Sequence, residues 1–356
     1  MTSRERVRTA LAHRPTDRIP RLLYEEAIGY TPAIARLLAE RCAPYSPRDY
    51  FRMDLTHVSV GPTRLSRERF APWLGAEAEA ALATGQVDEW GVWQRAGDFH
   101  HFTRLESPLR DLAVPRELAS YPWPDLDQPY RFEQVRREIE ALHAQGFAVV
   151  GYAGSIFERA WYLRGFERFL VDLLTAPALA QALLERTAWF QRSLAGQFAR
   201  AGVDIVLVGD DVAGQQGLLL RLSTWREFLK PRLAATRLAV KTANPGTFFC
   251  YHSDGNVEAV VPELIELGVD ILNPVQPECV NPAALKRAYG DRLCFWGTVS
   301  VQRTLPLGTP DEVRAEVRAR MSEVGRGGGL ILSPAHVLSP EVPWENIRAF
   351  FEATDG

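Results

Sequence analysis

From about residue 146 onward the chain alternates short β-branched or aromatic runs with longer amphipathic stretches. This alternation constrains the fold more than any other feature, because repeated βα units build parallel sheets. Six runs carry the strand pattern, at residues 147–153, 205–209, 248–253, 271–275, 293–297 and 330–333, each ending in a Gly-, Pro- or polar-rich turn. Helical patterns fill the gaps at 176–201, 223–242, 257–267, 283–289 and 310–324, with Ser223 expected as an N-cap. Two earlier runs, 19–24 and 54–60, bring the strands to eight. Eight parallel strands alternating with helices favour a closed (β/α)8 TIM barrel, an α/β fold, over an open doubly wound sheet. No Ser/Gly-rich or charge-run linker divides the chain, so residues 1–356 are expected to form one domain.

Residues 86–129 break the rhythm. Segments 89–95 and 100–104 alternate apolar and polar residues, and the proline-rich Tyr121-Pro-Trp-Pro-Asp125 follows them. This pattern predicts an inserted antiparallel hairpin and loop covering part of the barrel mouth. Trp90, Trp93, Phe99 and Phe102 then either line a pocket, with Trp93 touching substrate, or pin the hairpin to the barrel.

Composition removes several classes of function. Four cysteines (Cys42, Cys250, Cys279 and Cys294) lie far apart with no C-x-x-C pair, which suits a reducing cytoplasm and argues against a disulfide framework or zinc knuckle. A net charge of -3 with interspersed signs gives no footprint for nucleic acid. No run of about 18 apolar residues and no basic leader with an apolar core is present, so neither membrane insertion nor export is expected. The dinucleotide, P-loop, H-E-x-x-H and G-x-S-x-G signatures are missing as well.

Reacting groups in such barrels sit at the carboxyl ends of strands, and four places there carry polar residues. Asp210-Asp211 follows the run 205–208; Asp211 reads as a site carboxylate, with capping or loop anchoring as the plain alternative. His252 and Asp254 lie two apart at a strand end, so they face the same way and can converge on one ligand or one proton. Asn273 and Gln276 offer amides to a substrate, or their neighbours Pro274 and Pro277 simply shape a loop. His336 follows the last strand, and together His252, Asp254 and His336 make a two-histidine, one-carboxylate set suited to a divalent metal.

Taken in order, several segments resemble the uroporphyrinogen decarboxylase superfamily over nearly the whole chain. They are Arg4-Glu-Arg-Val-Arg-Thr-Ala-Leu-Ala-His13 with Asp17-Arg-Ile-Pro20, Gly151-Tyr-Ala-Gly154 through Trp161-Tyr162, and Asp210-Asp211. The later ones are His252-Ser-Asp-Gly255, Gly268-Val-Asp270 with Asn273-Pro274, and His336 with Pro343-Trp-Glu-Asn346. That superfamily holds true decarboxylases and cobamide-dependent methyltransferases, which carry methyl groups between corrinoid proteins and thiols such as coenzyme M. The resemblance implies catalytic roles for Tyr162, His336 and Asp54, which lie at or near the decarboxylases' tyrosine, late histidine and aspartate.

Two departures matter. The true decarboxylases place two arginines after the first strand, in Met-Arg-Gln-Ala-Gly-Arg-Tyr, to receive the carboxylates of an acidic tetrapyrrole. Here Tyr24-Glu-Glu-Ala-Ile-Gly-Tyr30 puts Glu25 and Gly29 in their places, and Glu25 would repel that substrate, so it is expected to face a different one. The methyltransferase branch is closer, but its zinc site uses His-x-Cys and a cysteine in Ser-Pro-Gly-Cys, where this chain has Asp254 and His336. Nitrogen and oxygen donors still hold zinc, though as harder ligands.

The leading expectation is a methyltransferase or demethylase acting on a small molecule. Zinc or another divalent metal would sit at His252, Asp254 and His336, with Asp211 and Tyr162 orienting the substrate. A corrinoid would arrive on a partner protein, because no Asp-x-His-x-x-Gly segment is present. The alternative is metal-free decarboxylation of a porphyrinogen or smaller carboxylate, with Asp54 or Asp211 stabilising a protonated intermediate and His336 or Tyr162 moving protons. A non-catalytic ligand-binding barrel is the third reading. The resemblance also implies a homodimer.

Overall fold

A computed structural model describes residues 1–23, 30–96 and 103–355. Seven strands run parallel in chain order around one curled sheet. They are β1 (Leu55–Val58), β2 (Ala148–Ser155), β3 (Ile205–Gly209), β4 (Phe248–His252), β5 (Ile271–Val275), β6 (Cys294–Val299) and β7 (Leu330–Pro334). Every residue of β1, β3, β5, β6 and β7 is buried, as expected when helices cover one face and the barrel interior the other. The expected strand at 19–24 shrinks to a single parallel bridge between Arg21 and Leu332. Pro20 has no N–H to extend a ladder. The short segment nonetheless joins both sheet edges. Leu22 N–H donates to Leu332 O at 3.1 Å, Leu332 N–H donates to Pro20 O at 2.9 Å, and Asp54 N–H donates to Arg21 O at 2.9 Å, which closes the barrel.

One aspartate design recurs at the amino ends of the strands. Asp54, Asp204 and Asp270 each follow an apolar residue and precede a strand. The backbone N–H of each donates to the carbonyl of one residue on the preceding segment (Arg21, Val149 and Phe249 respectively), and its carboxylate accepts that same residue's N–H. Each carboxylate is also neutralised. Arg6 and Arg18 both reach Asp54 at 2.6 Å, Arg4, Arg8 and His143 all reach Asp204 at 2.9 Å, and Lys241 reaches Asp270 at 2.9 Å. The catalytic role expected for Asp54 is therefore corrected: it lies at the far end of the barrel from the mouth, fully buried and held by two guanidinium groups.

The helical stretch expected at 223–242 is two helices, Leu222–Phe228 and Lys230–Ala243, with Arg221 rather than Ser223 at the first N-cap. Pro231 explains the break, since its ring cannot sit inside a helix but suits a first turn. The insertion does form an antiparallel pair, Trp93–Ala96 with Thr103–Glu106, in which Trp93 faces Glu106. Phe99 and Phe102 fall outside the described residues, as does Glu25. Among the described residues no helix is long and apolar enough to cross a membrane.

Candidate active site at the carboxyl end of the barrel

The parallel register brings three strand ends level. Gly209 lies opposite His252, and His252 lies opposite Asn273. Asp210 N–H donates to His252 O at 2.9 Å, and Ser253 N–H donates to Asn273 O at 2.8 Å, so the pairing continues past the strands and gathers their following residues. Asp211, His252 and Asp254 meet as a result, each offering one ligand atom within 4.8 Å of the others. Asp211 Oδ1 accepts the Asp254 N–H at 2.8 Å and lies 3.7 Å from His252 Nε2. His252 Nδ1 is 2.7 Å from Asn273 Oδ1. An amide oxygen only accepts, so Nδ1 carries the proton and Nε2 is left as the acceptor facing Asp211. His336, half-exposed, approaches from beyond β7 and places Nε2 3.2 Å from Asp254 Oδ2, while Asp254 Oδ1 is buried without a hydrogen-bond partner among the described residues.

The turn that carries Asp254 needs glycine at the next position. Gly255 has φ +85°, and a Cβ there would stand 2.6 Å from Gly214 O. Its N–H donates to Gln276 Oε1. Asn273 and Gln276, expected to bind substrate or to sit in a proline-shaped loop, bond through their amide oxygens to His252 and to the Asp254–Gly255 turn. For Trp93 two roles were open, touching substrate or pinning the hairpin. Its indole N–H donates to Thr84 and Arg95 lies over its ring, so it belongs to the insertion's own packing, and Trp90 is the insertion tryptophan that lines a cavity beside the mouth.

The charges at the mouth act on one another. Burial pushes the Asp211 carboxyl above its ordinary range, against the pull of His252. Burial also disfavours a charged His252, but Asp254 and Asp211 together outweigh it and raise its affinity for a proton. At Asp254 the hydrogen bond from His336 and the charge of His252 overcome burial and hold the carboxyl below its usual range.

A second carboxylate cluster was missed by sequence reasoning. Asp210 is buried, and its Oδ1 accepts the N–H groups of Ile156, Phe157 and Glu158, capping the helix Phe157–Arg164. That cap aims the helix start at the end of β3, where Glu158 Oε2 would be 3.7 Å from a Cβ on Gly209. Burial, then the charge of Asp211, pushes Glu158 up to about 7. Tyr162, one turn later, donates its hydroxyl to Glu158 Oε1 at 3.2 Å, and burial raises its own pKa. The available signal was Glu158 itself, a carboxylate three residues beyond the end of β2, a strand end not weighed among the four.

A barrel whose acids and histidines gather at one strand-end mouth is built as α/β-barrel enzymes are. This chain belongs to the uroporphyrinogen decarboxylase (URO-D) family, whose model matches residues 101–356. A methylcobamide:CoM methyltransferase of Methanosarcina barkeri is 27% identical over 194 residues, 52% of this chain and 54% of that protein. The chain thus spans about half the length of that relative. A uroporphyrinogen decarboxylase of Methylococcus capsulatus is 25% identical over 256 residues, 70% of each chain. A solved methyltransferase from Methanosarcina mazei has the same fold, with TM-score 0.67 at 20% identity over 100% of this chain and 98% of that one.

Proposed function

We propose that this chain is a methyl-transfer enzyme acting on a small molecule, with one divalent cation, zinc or similar, held by Asp211, His252 and Asp254. The observation that carries this reading is the buried Asp254 Oδ1, an acceptor without a hydrogen-bond partner among the described residues, in a cluster whose three ligand atoms lie within 4.8 Å. A buried carboxylate oxygen left unpaired is costly, and a cation would satisfy it. The bond from His252 to Asn273 supports the reading too, because metal-binding imidazoles commonly donate their second N–H to such an acceptor. Asp211 thereby joins the set expected from sequence, and His336 orients Asp254 from the open side. When bound, the cation supplies Lewis-acid activation of the donor or acceptor heteroatom. Glu158 and Tyr162 hold a proton beside it near neutral pH. A corrinoid protein as methyl source fits the methylcobamide relatives.

Elemental analysis of purified protein, His252→Ala and Asp254→Ala tests this. About one ion per chain is expected, lost in both variants. No ion after re-exposure to zinc would sink the cation reading.

Glu158 favours a second reading, decarboxylation, in which loss of CO2 leaves a carbanion that takes a proton. An acid poised near 7 beside a tyrosine is suited to supply it. Turnover of a carboxylate substrate by chelator-stripped protein, abolished in Glu158→Gln, would favour this reading over the first.

A further inference from the structure

A cavity of about 180 Å³ lies at the carboxyl ends of β1 and β2, with His57 and Val58 of β1 and residues 152–155 of β2 in its walls. Sheet register ties it to the acid cluster. Ser155, one of the wall residues, lies opposite Gly209, and Gly209 lies opposite His252. Neighbouring strands stand about 4.8 Å apart, so this wall is roughly 10 Å from the candidate cation site. The helix Phe157–Arg164 serves both places. Its Glu158 and Tyr162 bond to each other in the acid cluster, while Arg159 lines the cavity with its guanidinium 5.2 Å above the Tyr162 ring and 4.9 Å from that of Trp90.

Two donors on these walls are accessible and unused. Arg159 makes one hydrogen bond among the described residues, from Nη1 to Asp88 Oδ2 at 3.2 Å, and its other guanidinium nitrogens are not buried. Asp88 is itself fixed, because its Oδ1 accepts the N–H groups of Trp90 and Val92, so it holds the guanidinium in place. Tyr152 is 39% exposed, and its hydroxyl has no hydrogen-bond partner among the described residues. Burial, then the charge of Glu158, raises the Tyr152 pKa against the pull of Arg159, so the hydroxyl keeps its proton and can donate. The remaining charges set the sign of the ligand. Glu89, the other charged wall residue, pairs with Arg131 at 2.8 Å, and burial lowers the His57 pKa to about 4, which leaves its ring neutral at physiological pH. A guanidinium only donates, so an anionic acceptor completes it, and a carboxylate matches its fork. A dianion such as phosphate would be repelled by Asp88 and Glu89.

We propose that Arg159 and the Tyr152 hydroxyl form the subsite for a carboxylate of the substrate, so that the mouth acts on a small monocarboxylate anchored beside the acid cluster. This names the substrate class of the mouth and rests on the reading above for its chemistry, but binding itself does not require the cation.

The test is equilibrium binding followed by fluorine NMR, using 4-fluorobenzoate and its neutral counterpart 4-fluorobenzamide, on protein stripped by chelator and on protein re-exposed to zinc. Saturable binding of the benzoate to stripped protein is expected, roughly tenfold or more tighter than of the benzamide, the usual worth of a hydrogen bond to a charged group. Arg159→Gln should erase that preference, and Arg159→Lys, which keeps the charge and loses the fork, should keep part of it. Tyr152→Phe, which leaves Arg159 and Asp88 in place, should weaken the benzoate about fivefold. The proposal is overturned by no saturable binding of the benzoate to stripped protein, by a preference that survives Arg159→Gln, or by affinity indifferent to Tyr152→Phe. Benzoate binding that appears only with zinc and ignores Arg159 would put the anion on the cation and sink the subsite alone. Binding that depends on Arg159 in protein that takes up no zinc would sink the cation site and leave the subsite standing.

Discussion

The two ends of this barrel use aspartate in opposite ways. At the amino end, Asp54, Asp204 and Asp270 each grip one residue of a neighbouring segment, and each has a guanidinium or ammonium within 2.9 Å. At the carboxyl end, Asp211, Asp254 and Glu158 have no arginine or lysine within 4.0 Å among the described residues; the aspartates face histidines and Glu158 faces a tyrosine. The amino-end charges are compensated for good, which suits a group whose task is holding strands together. The carboxyl-end charges are compensated only by groups that can lose or gain a proton, or by a ligand. Compensation by fixed cations thus marks the amino-end acids as structural; at the carboxyl end Asp210 is structural as well, but is held by three backbone N–H groups and no cation among the described residues.

The most direct way to break this contrast is to remove an acid from the amino end. Asp54→Ala should lower stability by about 2–4 kcal/mol, because it removes charge-assisted bonds from Arg6 and Arg18 and leaves the buried Arg21 N–H unpaired, although Arg6 keeps Asp17. Chemical denaturation measures the loss, and turnover per folded molecule should stay unchanged. A fall in turnover at constant folded fraction would return Asp54 to the catalytic role expected of it from sequence.

That expectation shows where sequence reading succeeds and stops. The parallel strands were legible because buried strands read as apolar runs with clear ends, and seven of eight lie where the pattern put them, some within a residue or two. The weak one contains Pro20, whose missing donor leaves a single bridge. His252 and Asp254 were legible from strand alternation, whereas their meeting with Asp211 depends on the register between β3 and β4, which no local pattern encodes. Asp54 misled because an apolar-Asp-apolar start to a strand looks the same whether the acid is structural or reactive; the cations that decide it, Arg6 and Arg18, lie 48 and 36 positions away. Glu158 was passed over because only its burial and the neighbouring charge of Asp211 make it unusual.

Glu158 gives the next test, through pH. Its folded-state pKa is raised from 4.5 to about 7, so between those values the folded state holds a proton that the unfolded state has released. Stability contributed by that proton is complete below about pH 4.5 and is lost as pH rises through 7. Glu158→Gln should therefore unfold at higher denaturant than the parent at pH 8, by roughly 1–3 kcal/mol, with the difference vanishing near pH 5. An unchanged difference across that range would mean that Glu158 titrates normally and resembles the compensated acids of the other end.

The smallest expected effect sharpens the contrast most, because it concerns a residue that bears no charge. Asn273 holds His252 Nδ1–H and so leaves Nε2 as the acceptor that a cation needs. In Asn273→Ala the ring is free to turn or to move its proton to Nε2, and zinc affinity should fall about tenfold, the lower end of what such supporting groups contribute. Asn273→Asp keeps an acceptor at the same place and should restore most of that affinity. A purely structural role would give both variants the same stability loss and leave zinc affinity, measured by competition with a chelator, where it was. Equal affinity in all three proteins would show that the carboxyl-end cluster does not depend on the proton's position on His252, and the distinction between fixed and adjustable compensation would then rest on the carboxylates alone.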